Sequence, residues 1–369
     1  MTLAPVFRSQ SGTAFLIEKG ILARMAPHAA AQRAALAALE SQLEQVLGPD
    51  FRRPVGTAGA GLSDLEFLQD HFFLILFRSV FAELGAGSRL DFYTRLNICI
   101  KGIITAADNL FDDEYKELIP LKVEAGKTFG SIMQLMAFDR LLRIVGDEIV
   151  ASGACDQKTF VKANADLLTA LARIGTLEGS EEEGVETIPA PARMVDMVHR
   201  VRGGALFSLA FVVPSHLERD QARWGAAESA MARLGTAFQI VDDLTDFEFD
   251  LHRASHNLLV SQVTHHGTAE EKAALADLRD RIGQQGEWDG KREAVASLGD
   301  TIDQHFSESA LWVLGLARKE AREAFEELAR IGFWFDPDDS DEVVHAIVGL
   351  EGVHRMERLV DRDQAGTRR

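Results

Sequence analysis

At 369 residues, 46% of them apolar, the chain is long enough for one large domain or two small ones and can bury a sizeable core. A formal net charge of −18 argues against nucleic acid or an anionic membrane surface as the main partner. It still admits a small anionic substrate screened by metal ions or by a local cluster of Arg and Lys. Two cysteines, Cys99 and Cys155, form neither a disulfide framework nor a zinc spacing, so a reducing, cytoplasmic setting is expected. Met1–Gln10 has no apolar signal core, and the apolar run at Phe72–Phe77 is too short to span a bilayer.

Nearly every long segment carries the 3.6-residue period of an amphipathic helix. In chain order these are Ala29–Leu47, Leu65–Leu84, Phe92–Leu110, Ser131–Val150, Lys158–Ile174, Ala226–Phe249, Ala269–Ile282, Ala310–Ile331 and Glu342–Leu359. Breaks fall between them, at Gly56–Gly61, Glu117–Gly126, Gly179–Pro191 and Asp336–Asp341. The acidic Glu181–Glu183 and Asp336–Asp341 stretches read as solvated loops. No repeat or composition shift marks a linker. The expected architecture is all-α: a single large helical bundle over 63–369, with its active-site cavity between central helices and residues 1–62 packed on it as a helical segment.

Helical bundles build sites from side chains that project between facing helices, which directs attention to carboxylates four residues apart. Asp108 and Asp112 end the apolar segment Ile103-Ile104-Thr105-Ala106-Ala107. On a helix they share a face one turn apart, where like charges cost a few tenths of a kcal/mol, roughly, and oppose the dipole. Asp242, Asp246 and Asp250 repeat the device as a ladder after Gly235-Thr236-Ala237-Phe238-Gln239-Ile240-Val241. Gly235 and Ala237 are small enough to admit a close helix crossing. Either cluster alone also reads as a solvated acidic helix end. Both together point to hard-oxygen ligands for Mg²⁺, which takes one or two carboxylates plus phosphate oxygens and water.

In its motifs the chain resembles the trans-isoprenyl diphosphate synthases of the class I isoprenoid synthase superfamily. Asp108-Asn109-Leu110-Phe111-Asp112 is similar to the first DDxxD motif, with Asn in second place, and Gly235 to Asp246 is similar to the second motif with its lead-in. Arg202-Gly203-Gly204-Ala205-Leu206-Phe207 resembles the KTGxLF segment, and Phe138-Asp139-Arg140-Leu141-Leu142 the GDxLL segment. The resemblance spans about residues 90–350. It implies a prenyl diphosphate substrate ionised in an apolar cavity, three Mg²⁺ ions held by Asp108, Asp112, Asp242, Asp246 and Asp250, and a homodimer. Arg202, Arg200, Arg253 and His256 become candidate diphosphate donors, and Phe207, Phe211, Phe238 and Gln239 candidate cavity residues.

Departures from the family pattern refine the expected reaction. The upstream basic segment and the Arg pair that would hold isopentenyl diphosphate are not evident. Only Arg78 and His71 stand upstream, with Lys116, Lys122 and Lys127 after the first motif, and Ser255-His256-Asn257 replaces a Gly-Lys element. Burying a second diphosphate without cations is strongly unfavourable. A single-substrate terpene synthase, which ionises and cyclises or rearranges one prenyl diphosphate, is therefore placed ahead of head-to-tail prenyl transfer. Head-to-head coupling and a non-catalytic partner subunit come behind.

Overall fold

The structure is a computed structural model that describes residues 10–47, 62–111, 115–122, 126–181, 184–284 and 301–347. Among these residues regular structure is helical throughout, as the periodicity predicts. No described helix is long and apolar enough to cross a membrane. The helices gather into two compact units, one of Met1–Ala170 with Leu209–Ala227 and Ile331–Phe333, the other of Leu171–Ser208 with Glu228–Arg330 and Trp334–Arg369. Each unit is assembled from separated stretches, so no linker or composition shift announces it.

The first unit begins with α1 (Gln10–Glu18) and α2 (Ile21–Val46), separated by Gly20 at φ 68. Helix α3 (Asp64–Glu83) starts on a capping box: Glu66 N donates to Ser63 Oγ, and Ser63 N donates to the Glu66 carboxylate. It is kinked at His71 (φ −119, ψ 17). Helix α4 (Leu90–Phe111) packs on α2, on α3 and on α5 (Gly126–Ala151). Gly102 of α4 lies against the Phe138 ring, and a Cβ there would stand 2.3 Å from it. The core is aromatic. Phe81 meets Phe211 edge-on at 5.0 Å and Trp224 at 5.2 Å, and Tyr93 meets Trp224 at 5.9 Å. Phe211, expected near a cavity, instead lies in this core, because its ring completes the edge-to-face set.

In the second unit a short turn, α7 (Pro191–Met194), runs into an 11-residue π-helix, Val195–Ala205. Such wide turns are rare and cluster at functional sites. Helix α9 (Gln221–Thr245) crosses this π-helix at two glycines. A Cβ on Gly235 would fall 2.2 Å from Gly203 O, and one on Gly203 2.1 Å from Gly235 O. The small residues do permit the close approach that the sequence allows. The expected single helix Ala226–Phe249 is broken at Asp246 (φ −101, ψ 15) and resumes as α10 (Phe247–Arg253). Helices α11 (Leu258–His266) and α12 (Ala269–Gln284) follow, then α13 (Thr301–His305), the long α14 (Ser307–Arg330) and α15 (Ser340–Ile347). Arg233 on α9 is held by Glu320 (3.0 Å), Glu323 and Glu327 (3.2 Å) of α14. The remainder of the expected Glu342–Leu359 helix lies outside the described residues.

Gly235→Ala tests the crossing. Alanine gains up to about 1 kcal/mol of helix propensity, but its methyl meets a backbone oxygen that has no rotamer to escape through. A net loss of about 1–3 kcal/mol in chemical denaturation is expected.

Candidate active site

The first acidic helix end belongs to the first unit. Asp108 is exposed near the C-terminus of α4; Asp112 lies outside the described residues. Between them Asn109 is buried and serves as a clasp: its Nδ2 donates to Lys116 O at 2.8 Å, and Lys116 N donates to its Oδ1 at 2.9 Å. The amide in the motif's second place thus ties the Lys116 backbone to the end of α4. A carboxylate there would have no N–H to offer the carbonyl.

Spacing along α4 places Asn97, Lys101, Thr105 and Asp108 on one face. Burial pushes the Lys101 ammonium down, Asp108 pulls it back up, and Lys116 adds to the depression. His71, at the kink of α3, is pushed down to about 4, first by burial and then by Arg33 and Lys101. Its Nδ1 is buried with no hydrogen-bond partner, and the same holds for Asn97 Oδ1 and Thr105 Oγ1. Arg33 of α2 lies over the Phe67 ring at 4.1 Å and donates to the carbonyls of Leu62 and Ser63, each at 3.4 Å. Phe67 in turn lies 4.3 Å from the His71 ring, and Arg33 also pairs with the exposed Asp64 at 3.5 Å. Arg78 stands apart, since it pairs with Asp91 at 2.9 Å and donates to Thr94 Oγ1.

The second acidic helix end belongs to the second unit. Asp242 is exposed at the end of α9, with Gln239 Nε2 3.5 Å from its Oδ2. The helical register survives the break, because Asp246 N donates to Asp242 O and Asp250 N to Asp246 O, both at 2.8 Å. Asp243 turns inward instead. Buried, its Oδ2 lies 2.7 Å from His199 Nε2 and accepts Leu258 N at the start of α11. Burial, followed by the charges of Asp243 and Asp246, pushes Asp250 well above the usual carboxylate range, opposed by a hydrogen bond from Asn257. Phe207 and Phe238 face each other at 6.2 Å, both half-buried.

The candidate donors are mostly engaged. Arg202 Nε binds Glu178 at 2.8 Å and Nη2 binds Glu181 at 2.7 Å. Glu181 is buried, which by itself would raise its pKa, yet His256 and Arg202 together hold it down to about 2. Glu181 is therefore no solvated loop residue: one carboxylate gathers Arg202, the His256 ring and His256 N (3.1 Å). Glu182 and Glu183 lie outside the described residues. Arg200 pairs with Asp196 at 2.9 Å on an exposed turn, and the Arg253 guanidinium lies 5.5 Å from the Phe249 ring centre. After α10, Ala254 adopts left-handed φ 53, accepts Val185 N at 2.7 Å, and backs onto Gly184, itself at φ 82.

Among the described residues no three acidic, imidazole or thiol groups converge tightly enough to hold an ion by themselves. The ladder's donor chemistry nevertheless fits Mg²⁺. It offers oxygen alone, and Asp250 sits in like-charge crowding that a cation relieves, with substrate phosphates and water left to complete the coordination.

Neither a protein-family model nor a curated protein matches the sequence. Solved structures do match. A polyprenyl synthetase from Streptomyces coelicolor A3(2) is 18% identical with a TM-score of 0.55, over 90% of this chain and 98% of that one. A polyprenyl synthase from Caulobacter crescentus CB15, complexed with calcium and isoprenyl diphosphate, is 15% identical with a TM-score of 0.56, over 90% and 97%. A decaprenyl diphosphate synthase from Rhodobacter capsulatus is 16% identical with a TM-score of 0.55, over 89% and 99%. The chain has the isoprenyl diphosphate synthase fold. Within that fold Lys101, Arg33 and His199 are candidate functional or supporting positions outside the motifs, while Asn109 and Asp243, inside them, take supporting contacts that the motifs alone do not reveal. For Lys101 the available signal was its place on one face with Asn97, Thr105 and Asp108.

The His71 ring carries a measurable pH signature. In the unfolded chain it takes up a proton near pH 6.5, whereas the buried ring resists until about 4. The unfolded state binds more protons in that window, so stability present above pH 6.5 is lost as pH falls toward 4, by up to about 3 kcal/mol. His71→Asn should show a correspondingly shallower loss in denaturation curves recorded between pH 7 and pH 4.

Proposed function

We propose that the chain is a Mg²⁺-dependent prenyltransferase that joins an allylic prenyl diphosphate head to tail with isopentenyl diphosphate. The observation that carries this reading is Arg33 stacked on Phe67, which lies against the buried His71 ring, with Lys101 acting electrostatically on the same ring and His71 Nδ1 without a hydrogen-bond partner. The terpene synthase reading rested on a lack of cations for a second diphosphate. Two cations, Arg33 and Lys101, come singly from α2 and α4, with a neutral imidazole from α3, and not from one basic segment. A buried imidazole nitrogen without a partner, beside a desolvated ammonium and a guanidinium, is an environment that an anion would relieve. The likeness in fold to polyprenyl and decaprenyl diphosphate synthases points the same way.

In this reading each aspartate cluster, Asp108 with Asp112 and Asp242 with Asp246 and Asp250, supplies metal ligands. Bound Mg²⁺ supplies Lewis-acid neutralisation of the leaving diphosphate. Arg33, His71 and Lys101 bind and orient the second diphosphate. Phe207 and Phe238 give an apolar aromatic wall that excludes water and faces developing positive charge. Arg202 acts through Glu178 and Glu181 to fix the segment beside the ladder and is not itself the first diphosphate donor. The ladder at Asp242, Asp246 and Asp250 supports the terpene synthase as second reading. A homodimer belongs to the proposal: α5 exposes Phe129, Ile132 and Met136 as a stripe, and α6 (Gln157–Gly179) exposes Val161 and Leu168.

Incubation with Mg²⁺ and geranyl, farnesyl or geranylgeranyl diphosphate, with and without isopentenyl diphosphate, decides between the readings. Longer prenyl diphosphates formed only with isopentenyl diphosphate are expected; a hydrocarbon or alcohol made without it would replace the proposal by the terpene synthase. Lys101→Ala should raise KM for isopentenyl diphosphate on the order of tenfold, the loss of one charged contact, with a smaller change in KM for the allylic substrate. Asp242→Ala should abolish turnover. Sedimentation should give a dimer that Met136→Asp weakens.

A further inference from the structure

We infer that Asn257 is a positioning residue that sets the Asp250 carboxylate for cation binding; the inference rests on the metal site proposed above. Asn257 is fully buried at the N-cap of α11, and its side chain is used completely. Its Oδ1 accepts Leu259 N (3.0 Å) and Val260 N (3.2 Å), which caps the helix. Its Nδ2 donates to Asp243 O at 2.7 Å and to Asp250 Oδ2 at 2.8 Å. A cap needs only the acceptor. The donor half of the amide is directed at the two acids that flank the helix break, one through its backbone and one through its carboxylate.

Asn257 engages one oxygen of Asp250, and this hydrogen bond fixes the orientation of the carboxylate plane. Asp250 N and Asp250 O are fixed as well, by Asp246 O (2.8 Å) and Ser255 N (2.9 Å). The neighbouring residue adds a second tether, since Leu258 N donates to Asp243 Oδ2, which also meets His199. The start of α11 thus holds the ladder from behind through two adjacent residues. Hydrogen bonds to ligating carboxylates orient them, and their loss commonly weakens metal affinity roughly 10–100-fold.

Asn257→Ser separates the two halves of the amide: serine keeps the cap but is too short to reach Asp250. Asn257→Asp keeps the cap and turns the donor into a second carboxylate. The readouts are the melting temperature without metal and Mn²⁺ affinity, measured by electron paramagnetic resonance with inorganic diphosphate present. Wild type should bind Mn²⁺, and Asn257→Ser should bind about tenfold more weakly with a metal-free melting temperature lowered modestly by the lost hydrogen bond to Asp243 O. Asn257→Asp should bind with weakened or altered stoichiometry. In an Asp250→Asn background, Asn257→Ser should add no further loss. Wild-type affinity in a folded Asn257→Ser protein overturns the positioning role and leaves the metal site standing. Absence of Mn²⁺ binding in wild type overturns both. Should Asn257→Ser fail to fold, Asn257→Asp takes its place: wild-type affinity and stoichiometry in that variant overturn the positioning role.

Discussion

Two glycines with no side chains between them set the geometry of the second unit. Where Gly203 and Gly235 meet, the backbones of the π-helix and α9 are so close that even a methyl group is excluded. That contact fixes the register of both helices. One turn before Gly203 the π-helix presents His199, and two turns after Gly235 helix α9 presents Asp243; the two side chains meet at 2.7 Å in a dry interior. From Asp243 the order passes to the N-terminus of α11, and through Asn257 to Asp250. Steric exclusion thereby becomes electrostatic placement, and the ladder acids Asp242 and Asp246 inherit their positions from a crossing they do not touch.

Charge is handled in opposite ways in the two units. In the second, Asp250 is set among the like charges of Asp243 and Asp246 and is driven toward its protonated form. In the first, the charges of Arg33 and Lys101 act on a buried imidazole, and His71 and Lys101 are driven toward their neutral forms. Each arrangement costs stability when nothing is bound, because like charges share a low-dielectric interior. Sites for ligands of opposite sign are where folds commonly accept that cost. By contrast, in the Glu178–Arg202–Glu181–His256 group both carboxylates bind Arg202 and Glu181 also meets the His256 ring, and such linked groups serve to fix structure.

The helical class and most helix positions were legible because amphipathic period is a property of neighbouring residues. The same held for the glycine crossing, where Gly235 and Ala237 follow a polar helix start and precede the acids. Pairings made over long sequence distances were not legible. Nothing local in Glu181 distinguishes it from Glu182, yet it is buried by partners 21 and 75 residues away. The two carboxylates that hold Arg202 likewise come from another stretch of chain. Arg33, His71 and Lys101 are single residues on α2, α3 and α4, so no local segment announces their placement. The break at Asp246 also escaped notice: the i, i+4 hydrogen bonds persist through it, so the pattern on its two sides stays continuous.

Ala254 and Gly184 limit how this part of the chain can be altered. Both hold left-handed backbone, Ala254 at a cost of about 1–2 kcal/mol, and the methyl of one faces the bare α-carbon of the other. Val185 N and Ala254 O lock them together. The loop before the π-helix and the turn after α10 are therefore a matched pair, keyed by a methyl on one side and its absence on the other. Exchanging either loop alone for that of another protein would set two side chains in space made for one. The pair has to be transplanted, or inherited, as a single module.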